Sequence, residues 1–203
     1  SPNYQIIASL DVGRRQVELE GFEFVQRQVE AAMTMRKAIS TNPLLNKYFK
    51  VLSAGDMIPE QYRQTGTKSD YEPSQGWMDI WESWERDEFV LDATRVTLAV
   101  GGTGWDGDTF KNQVLVDKHG IQINKTSRNT VLFMTNIGTT RSSVAYLISV
   151  LVEIAKDLDA IVGFELARSE GNLKGGYTGL TPELFVDTIL DYAEKENFHL
   201  PFF

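Results

Sequence analysis

The chain has 203 residues, of which 42% are hydrophobic, enough for a packed core in one large domain or in a small domain with an appendage. Its 20 Lys and Arg against 28 Asp and Glu give a net charge of −8, which argues against nucleic acid or an anionic membrane surface as partner and leaves cationic ligands open. Cysteine is absent and there are 2 histidines, so disulfides, thiolate zinc sites, cysteine nucleophiles and multi-histidine metal sites are excluded. No stretch reaches the roughly 18 apolar residues of a membrane span, and the first residues lack the regions of a signal peptide, which together give a cytoplasmic expectation. The opening Ser1-Pro2 and the apolar ending His199-Leu200-Pro201-Phe202-Phe203 read as the ends of a piece of a longer polypeptide.

In chain order, Ile6, Ile7, Leu10 and Arg14 fit a first helix that Gly21 interrupts. Phe22, Val25, Val29, Ala32, Met33, Arg36 and Ile39 then continue at helical spacing to Asn42-Pro43. Arg27, Glu30, Arg36 and Lys37 read as a solvated face. Tyr48 to Leu52 reads as a short strand, and Asp56 to Gly76 as a long polar surface loop. Trp77, Trp81 and Trp84 would share one face of a helix. Such a face either anchors the segment to the sheet or a partner subunit, or forms an aromatic wall beside a cationic substrate. The window from Trp77 to Asp92 is acidic, with Asp79, Glu82, Glu85, Asp87, Glu88 and Asp92 against Arg86, and reads as a solvated face.

From Arg95 to Ser149 the pattern sharpens. Val96, Leu98 and Val100 alternate with Thr97 and Ala99 as a half-buried strand, and Gly101, Gly102 and Gly104 break the run. Phe110, Val114, Leu115 and Lys118 follow at helical spacing, with Asp106 or Asp108 as N-cap and Gly120 as the left-handed C-cap. Ile121 to Asn124 and Val131 to Thr135 read as strands around a turn at Ser127, Arg128 and Asn129. A long apolar helix opens after Thr139 and runs through Leu158. Val162 to Gly179 reads as a glycine-rich connector, and Thr181-Pro182 starts a further helix to about Asn197. The order of elements predicts an α+β fold, a small, mainly antiparallel sheet with helices on one face, preceded by a long linking helix.

Few motifs carry chemistry unaided. Gly101-Gly102-Thr103-Gly104 lacks the Gly-Lys-Thr ending of a phosphate loop and the spacing of a dinucleotide fingerprint, and reads as a tight strand-to-helix turn. His119, at a helix end where a cation suits the dipole, reads as a surface residue. No Ser/His/Asp order, Glu-rich metal helix or paired-carboxylate cleft is legible.

Longer motifs do carry a resemblance. Leu91-Asp92-Ala93-Thr94-Arg95-Val96-Thr97-Leu98 and the Asp106-Gly107 pair, then His119-Gly120-Ile121-Gln122-Ile123-Asn124-Lys125-Thr126 and Phe133-Met134-Thr135-Asn136-Ile137-Gly138-Thr139-Thr140, stand in order. They are similar to L-D-P-x-K-V-T-L, D-G, H-G-I-V-x-E-K-T and F-L-F-S-I-G-T-T of the bacterial ornithine/lysine/arginine decarboxylases. These are pyridoxal-phosphate enzymes of the aspartate-aminotransferase fold. Ser1-Pro2-Asn3-Tyr4-Gln5-Ile6-Ile7-Ala8-Ser9 resembles the S-P-x-Y-x-I-x-A-S that follows that family's cofactor lysine. The resemblance covers most of residues 1 to 160.

The resemblance implies that the cofactor lysine, the ring-stacking histidine and the pyridinium-pairing aspartate lie upstream of Ser1, so the chain by itself is expected to be inactive. It implies a division into 1–42, the end of the large cofactor domain and a linking helix; 43–162, a small α/β domain with an insertion near 56–76; and 163–203, the start of a truncated C-terminal domain. Ser1 and Pro2 would lie near the cofactor phosphate of the neighbouring subunit in a homodimer or higher homo-oligomer. Gly104, Asp106, Lys125 and Thr126 would line the pocket of a basic amino acid substrate. The sequence departs from the family pattern at Gly101 to Gly104, which replace T-P-G-M, at Asn124, which replaces a glutamate, and at Ser127-Arg128-Asn129. A non-catalytic assembly or regulatory module with the same fold is the alternative expectation.

Overall fold

The computed structural model describes residues 3–72 and 78–169, without the side chains of 78, 79 and 164–169. The predicted helix from Thr181, the residues Ser1 and Pro2, and Trp77 lie outside the described residues.

Helix α1, Tyr4–Thr41, is continuous. Gly21 does not interrupt it: a single glycine costs an exposed helix about 1 kcal/mol, too little to break a run of this length. Asn3 caps its start by accepting the amides of Gln5 and Ile6. The buried residues of α1 all lie in its second half: Ala32, Met33, Met35, Arg36 and Ile39. A 3-10 turn, Leu45–Lys47, leads to strand β1, Lys50–Val51, shorter than the predicted strand.

Between β1 and the next strand the chain makes a detour. It holds the short helix α2, Ala54–Met57, a 3-10 turn at Glu60–Tyr62, and helix α3, Met78–Arg86. Strand β2, Arg95–Ala99, then buries Val96 and Leu98 and leaves Arg95 exposed, the predicted alternation.

After the glycine turn comes one helical stretch built from α4, Gly107–Thr109, a π-helical segment, Phe110–Val116, and α5, Asp117–His119. It ends at Gly120, left-handed at φ 65°, as predicted. The predicted strand at Ile121 to Asn124 is not formed. The Ile121 amide donates to Leu115 O (2.9 Å) to close the helix end, so it is lost to any ladder, and pairing starts with β3 at Lys125–Thr126. Strand β4, Thr130–Met134, follows the turn. Helix α6, Arg141–Ser169, begins where predicted and runs on through Val162, so the predicted connector is helical as far as Ser169.

The four strands form an antiparallel sheet in the order β1-β2-β4-β3, with Val96 opposite Phe133 and Leu98 opposite Val131. These four side chains join Ala32, Met35 and Ile39 of α1, Phe110, Val114 and Leu115, and Val144, Leu147, Val150, Leu151, Ile154 and Ala155 of α6 in one buried cluster. The helices therefore pack on the sheet face that carries these residues, the α+β arrangement expected. Tyr48, whose hydroxyl donates to Asp159 of α6 at 2.5 Å, and Lys47, paired with the same carboxylate at 3.0 Å, fasten the 3-10 turn to α6.

Candidate functional site

The turn after β2 shows why glycine is needed there. Gly104 has φ 79°, a left-handed conformation that a side chain disfavours. A Cβ on Gly102 would stand 2.8 Å from the Tyr48 carbonyl oxygen. Thr103 is buried, donates its hydroxyl to Val100 O (2.6 Å) and accepts the Trp105 amide (3.3 Å). The turn closes on itself and on the backbone of the chain.

Asp106 then caps the helix. Its carboxylate accepts the Thr109 amide at 2.8 Å and the Thr109 hydroxyl at 3.0 Å. The Thr109 amide above all, and then the Thr109 hydroxyl and the Asp108 amide, hold this carboxyl below the usual carboxylate range. Gly107 seats the helix start on the β3–β4 turn: its amide donates to Arg128 O at 2.8 Å, and a Cβ there would come within 2.1 Å of Ser127 O. The amides at this helix start are therefore committed inside the protein, so this end does not form an anion cradle.

The structure brings three of the sequence-predicted residues to one edge. Gly104 and Asp106 flank the turn, and Thr126 joins it by donating its hydroxyl to Asp108. Lys125 opens the edge strand β3 and is exposed, with no ion-pair partner among the described residues. Ser1 and Pro2, the predicted cofactor neighbours, cannot be placed against this edge because they lie outside the described residues.

Other residues take parts that periodicity did not reveal. Arg36, expected on a solvated face, is buried: its Nη1 donates to Asp70 (2.7 Å) and Leu52 O (3.3 Å), and its Nη2 to Arg95 O (2.5 Å). Its position at helical spacing from Ala32 and Ile39 is the signal that could have found it. On α3 it is Ile80 and Ser83 that turn inward, while Trp81 and Trp84 stay exposed and meet edge to face at 5.3 Å. Among the described residues these two tryptophans do not anchor the segment to the sheet. Trp84, Phe89, Arg63, Asp70 and Asp87 instead line a small cleft of about 20 Å³, room for one water molecule.

The lysines of the described residues are exposed or half-buried. Among the described residues no three His, Asp or Glu side chains are grouped to hold a metal, and no helix is long and apolar enough to cross a membrane.

Comparison with known proteins agrees with the motifs. The family model for "Orn/Lys/Arg decarboxylase, major domain" matches residues 1–143. The lysine decarboxylase LdcA of Pseudomonas aeruginosa is 27% identical over 172 residues, 79% of this chain and 23% of that protein. The constitutive lysine decarboxylase of E. coli superposes with a TM-score of 0.51 at 20% identity, over 76% of this chain and 22% of that one, a likeness of fold. The chain thus spans under a quarter of the length of the relatives it matches. With the family model covering residues 1–143 of 203, the chain belongs to the ornithine/lysine/arginine decarboxylase family.

Proposed function

We propose that this chain is part of a pyridoxal-phosphate-dependent decarboxylase that converts a basic amino acid, ornithine, lysine or arginine, to the corresponding amine and carbon dioxide. The observation that carries this reading is the family match over residues 1–143. The cofactor supplies the electron sink for the carbanion left when carbon dioxide departs. Its lysine, on this reading, belongs to another part of the polypeptide.

On this reading the chain contributes one wall of the substrate pocket, with Gly104, Asp106 and Thr126 on the helix side of the edge strand and Lys125 alternating to its other face. Each has a distinct part. Gly104 lets the backbone turn; Asp106 and Thr126 fix the turn through Thr109 and Asp108; the Lys125 ammonium is the one group of the four that suits a substrate carboxylate. Ser1 and Pro2 lie near the cofactor phosphate of a neighbouring subunit in a homodimer or higher homo-oligomer. On the same reading the 1–42 segment links the cofactor domain to the small domain of 43–162, and a further domain opens in 163–203, with α6 crossing that border unbroken to Ser169.

The first half of α1 supports the reading of a part. Tyr4, Leu10, Val12, Val17, Leu19 and Phe22 are each at least 66% exposed, an apolar surface that a folded enzyme covers with the rest of its polypeptide.

The test compares the chain alone with the full-length polypeptide, reading carbon dioxide release from ornithine, lysine and arginine and the visible absorbance of bound cofactor. The chain alone is expected to show neither, and the full-length protein both. A full-length protein that binds no cofactor would overturn the proposal and favour an assembly module instead. Lys125→Ala in the full-length enzyme is expected to raise KM with little change in thermal stability; unchanged kinetics would remove Lys125 from the pocket.

A further inference from the structure

The detour between β1 and β2 leaves the sheet at Leu52 and returns at Arg95, and both ends are held by one side chain. Arg36, on the buried face of α1, donates to the carbonyl of Leu52, to the carbonyl of Arg95, and to Asp70 within the detour. Its Nε is buried and has no hydrogen-bond partner. A buried guanidinium with an unmade bond is a costly choice for packing alone. It suits a position where three separate segments must be tied at one point.

The detour has interior bonds of its own. Arg63 is buried and donates to Ile58 O (2.9 Å) and Thr67 O (2.7 Å). Asp87, just beyond α3, accepts the amide and hydroxyl of Thr65. The Gly55 amide donates to Lys68 O at 2.8 Å, an approach a Cβ would obstruct at 2.9 Å. Its apolar nucleus, Ala54, Ile58, Ile80 and Ala93, is buried but is not part of the main cluster between the sheet and the helices.

We infer that the described parts of this detour, 54–72 and 80–93, form a satellite unit that opens and closes separately from the main core, with Arg36 as the fastener that sets its closed state. Units of this kind, with a small nucleus and self-contained hydrogen bonds, open at lower free energy than the core beside them. Lys37, over the Tyr71 ring at 5.4 Å, adds a second and weaker hold one residue along α1. The inference stands whether or not the decarboxylase reading does, because it rests on bonds within this chain.

Native-state hydrogen exchange of the 203-residue chain tests it. The variants are Arg36→Lys, Arg36→Met and Asp70→Asn, with Arg86→Ala, which removes the exposed pair with Glu82, as the control. Exchange of the amides in 54–70 and 80–87 is expected to quicken by about tenfold or more in the first three variants, while the amides of β2, β4 and the middle of α6 keep their rates. Acceleration that is equal in the satellite and the core, or absent from both, overturns the inference. Should Arg36→Met fail to fold, Arg36→Lys and Asp70→Asn are judged by the same comparison.

Discussion

Asp106 and Asp70 show how two carboxylates of one chain are displaced in opposite directions. Asp106 is held below the usual range by the Thr109 amide, so the folded chain binds its proton less readily than the unfolded chain does. Its stabilisation is complete above the ordinary carboxylate range and is lost as pH falls toward its lowered value. Asp70 is displaced upward, since burial outweighs the pairing with Arg36, and Arg36 is displaced downward for the same reason. Asp106→Asn should flatten the loss of stability as pH falls below the ordinary carboxylate range, read from urea midpoints across that fall. Asp106→Ala, which removes the cap altogether, should cost about 1 kcal/mol at neutral pH by the same measurement. Gly107→Ala tests the tightest glycine approach among the described residues. With Ser127 O within 2.1 Å of the added carbon, it should cost about 3 kcal/mol or more, and denaturant unfolding will show whether the β3–β4 turn can give way instead.

Among the elements, α1 divides most clearly into two regimes. From Gln28, whose side chain donates to Thr135 O at 2.8 Å, it belongs to the core; before that, about 36 Å of helix carries exposed apolar side chains. Phe22, 85% exposed, can become Glu with a change of less than about 0.5 kcal/mol in the stability of this chain, measured by thermal unfolding. If, as proposed, this helix packs against the rest of a longer polypeptide, the same change should weaken that packing there. What the sequence made legible follows the same physics. The alternation of Val96 and Leu98, the caps at Asp106 and Gly120 and the start of α6 are local patterns, set by neighbours in the chain, and they appear as read. Arg36 misled because a charge inside an apolar stripe looks like solvent exposure until the three distant acceptors are in place. Gly21 and the Ile121 to Asn124 run misled for a related reason: what continues a helix, or spends an amide before it can pair, is decided by bonds that periodicity does not record. At the candidate edge, the sequence supplied Gly104, Asp106 and Thr126 through the resemblance, but the bond from Thr126 to Asp108 and the seat of Gly107 on Ser127 required the fold.

At the scale of the whole molecule, the chain presents a compact sheet-and-helix core, a satellite held by Arg36 and an uncovered length of α1. Its acidic balance, −8 in net charge, favours approach of a basic amino acid over approach of a polyanion. One consequence lies at the borders of the sheet. Both outer strands, β1 and β3, are two residues long, and each begins with an exposed lysine, Lys50 and Lys125. A border so short and so charged offers a newcomer almost no row of open backbone groups to pair with. The described sheet therefore resists growth by strand addition, and the exposed apolar side chains of α1 are the expected place for copies of this chain to meet at high concentration. Fibril-type growth through this sheet should be absent, and light scattering with and without Leu10→Lys should show helix-driven clustering that the variant reduces.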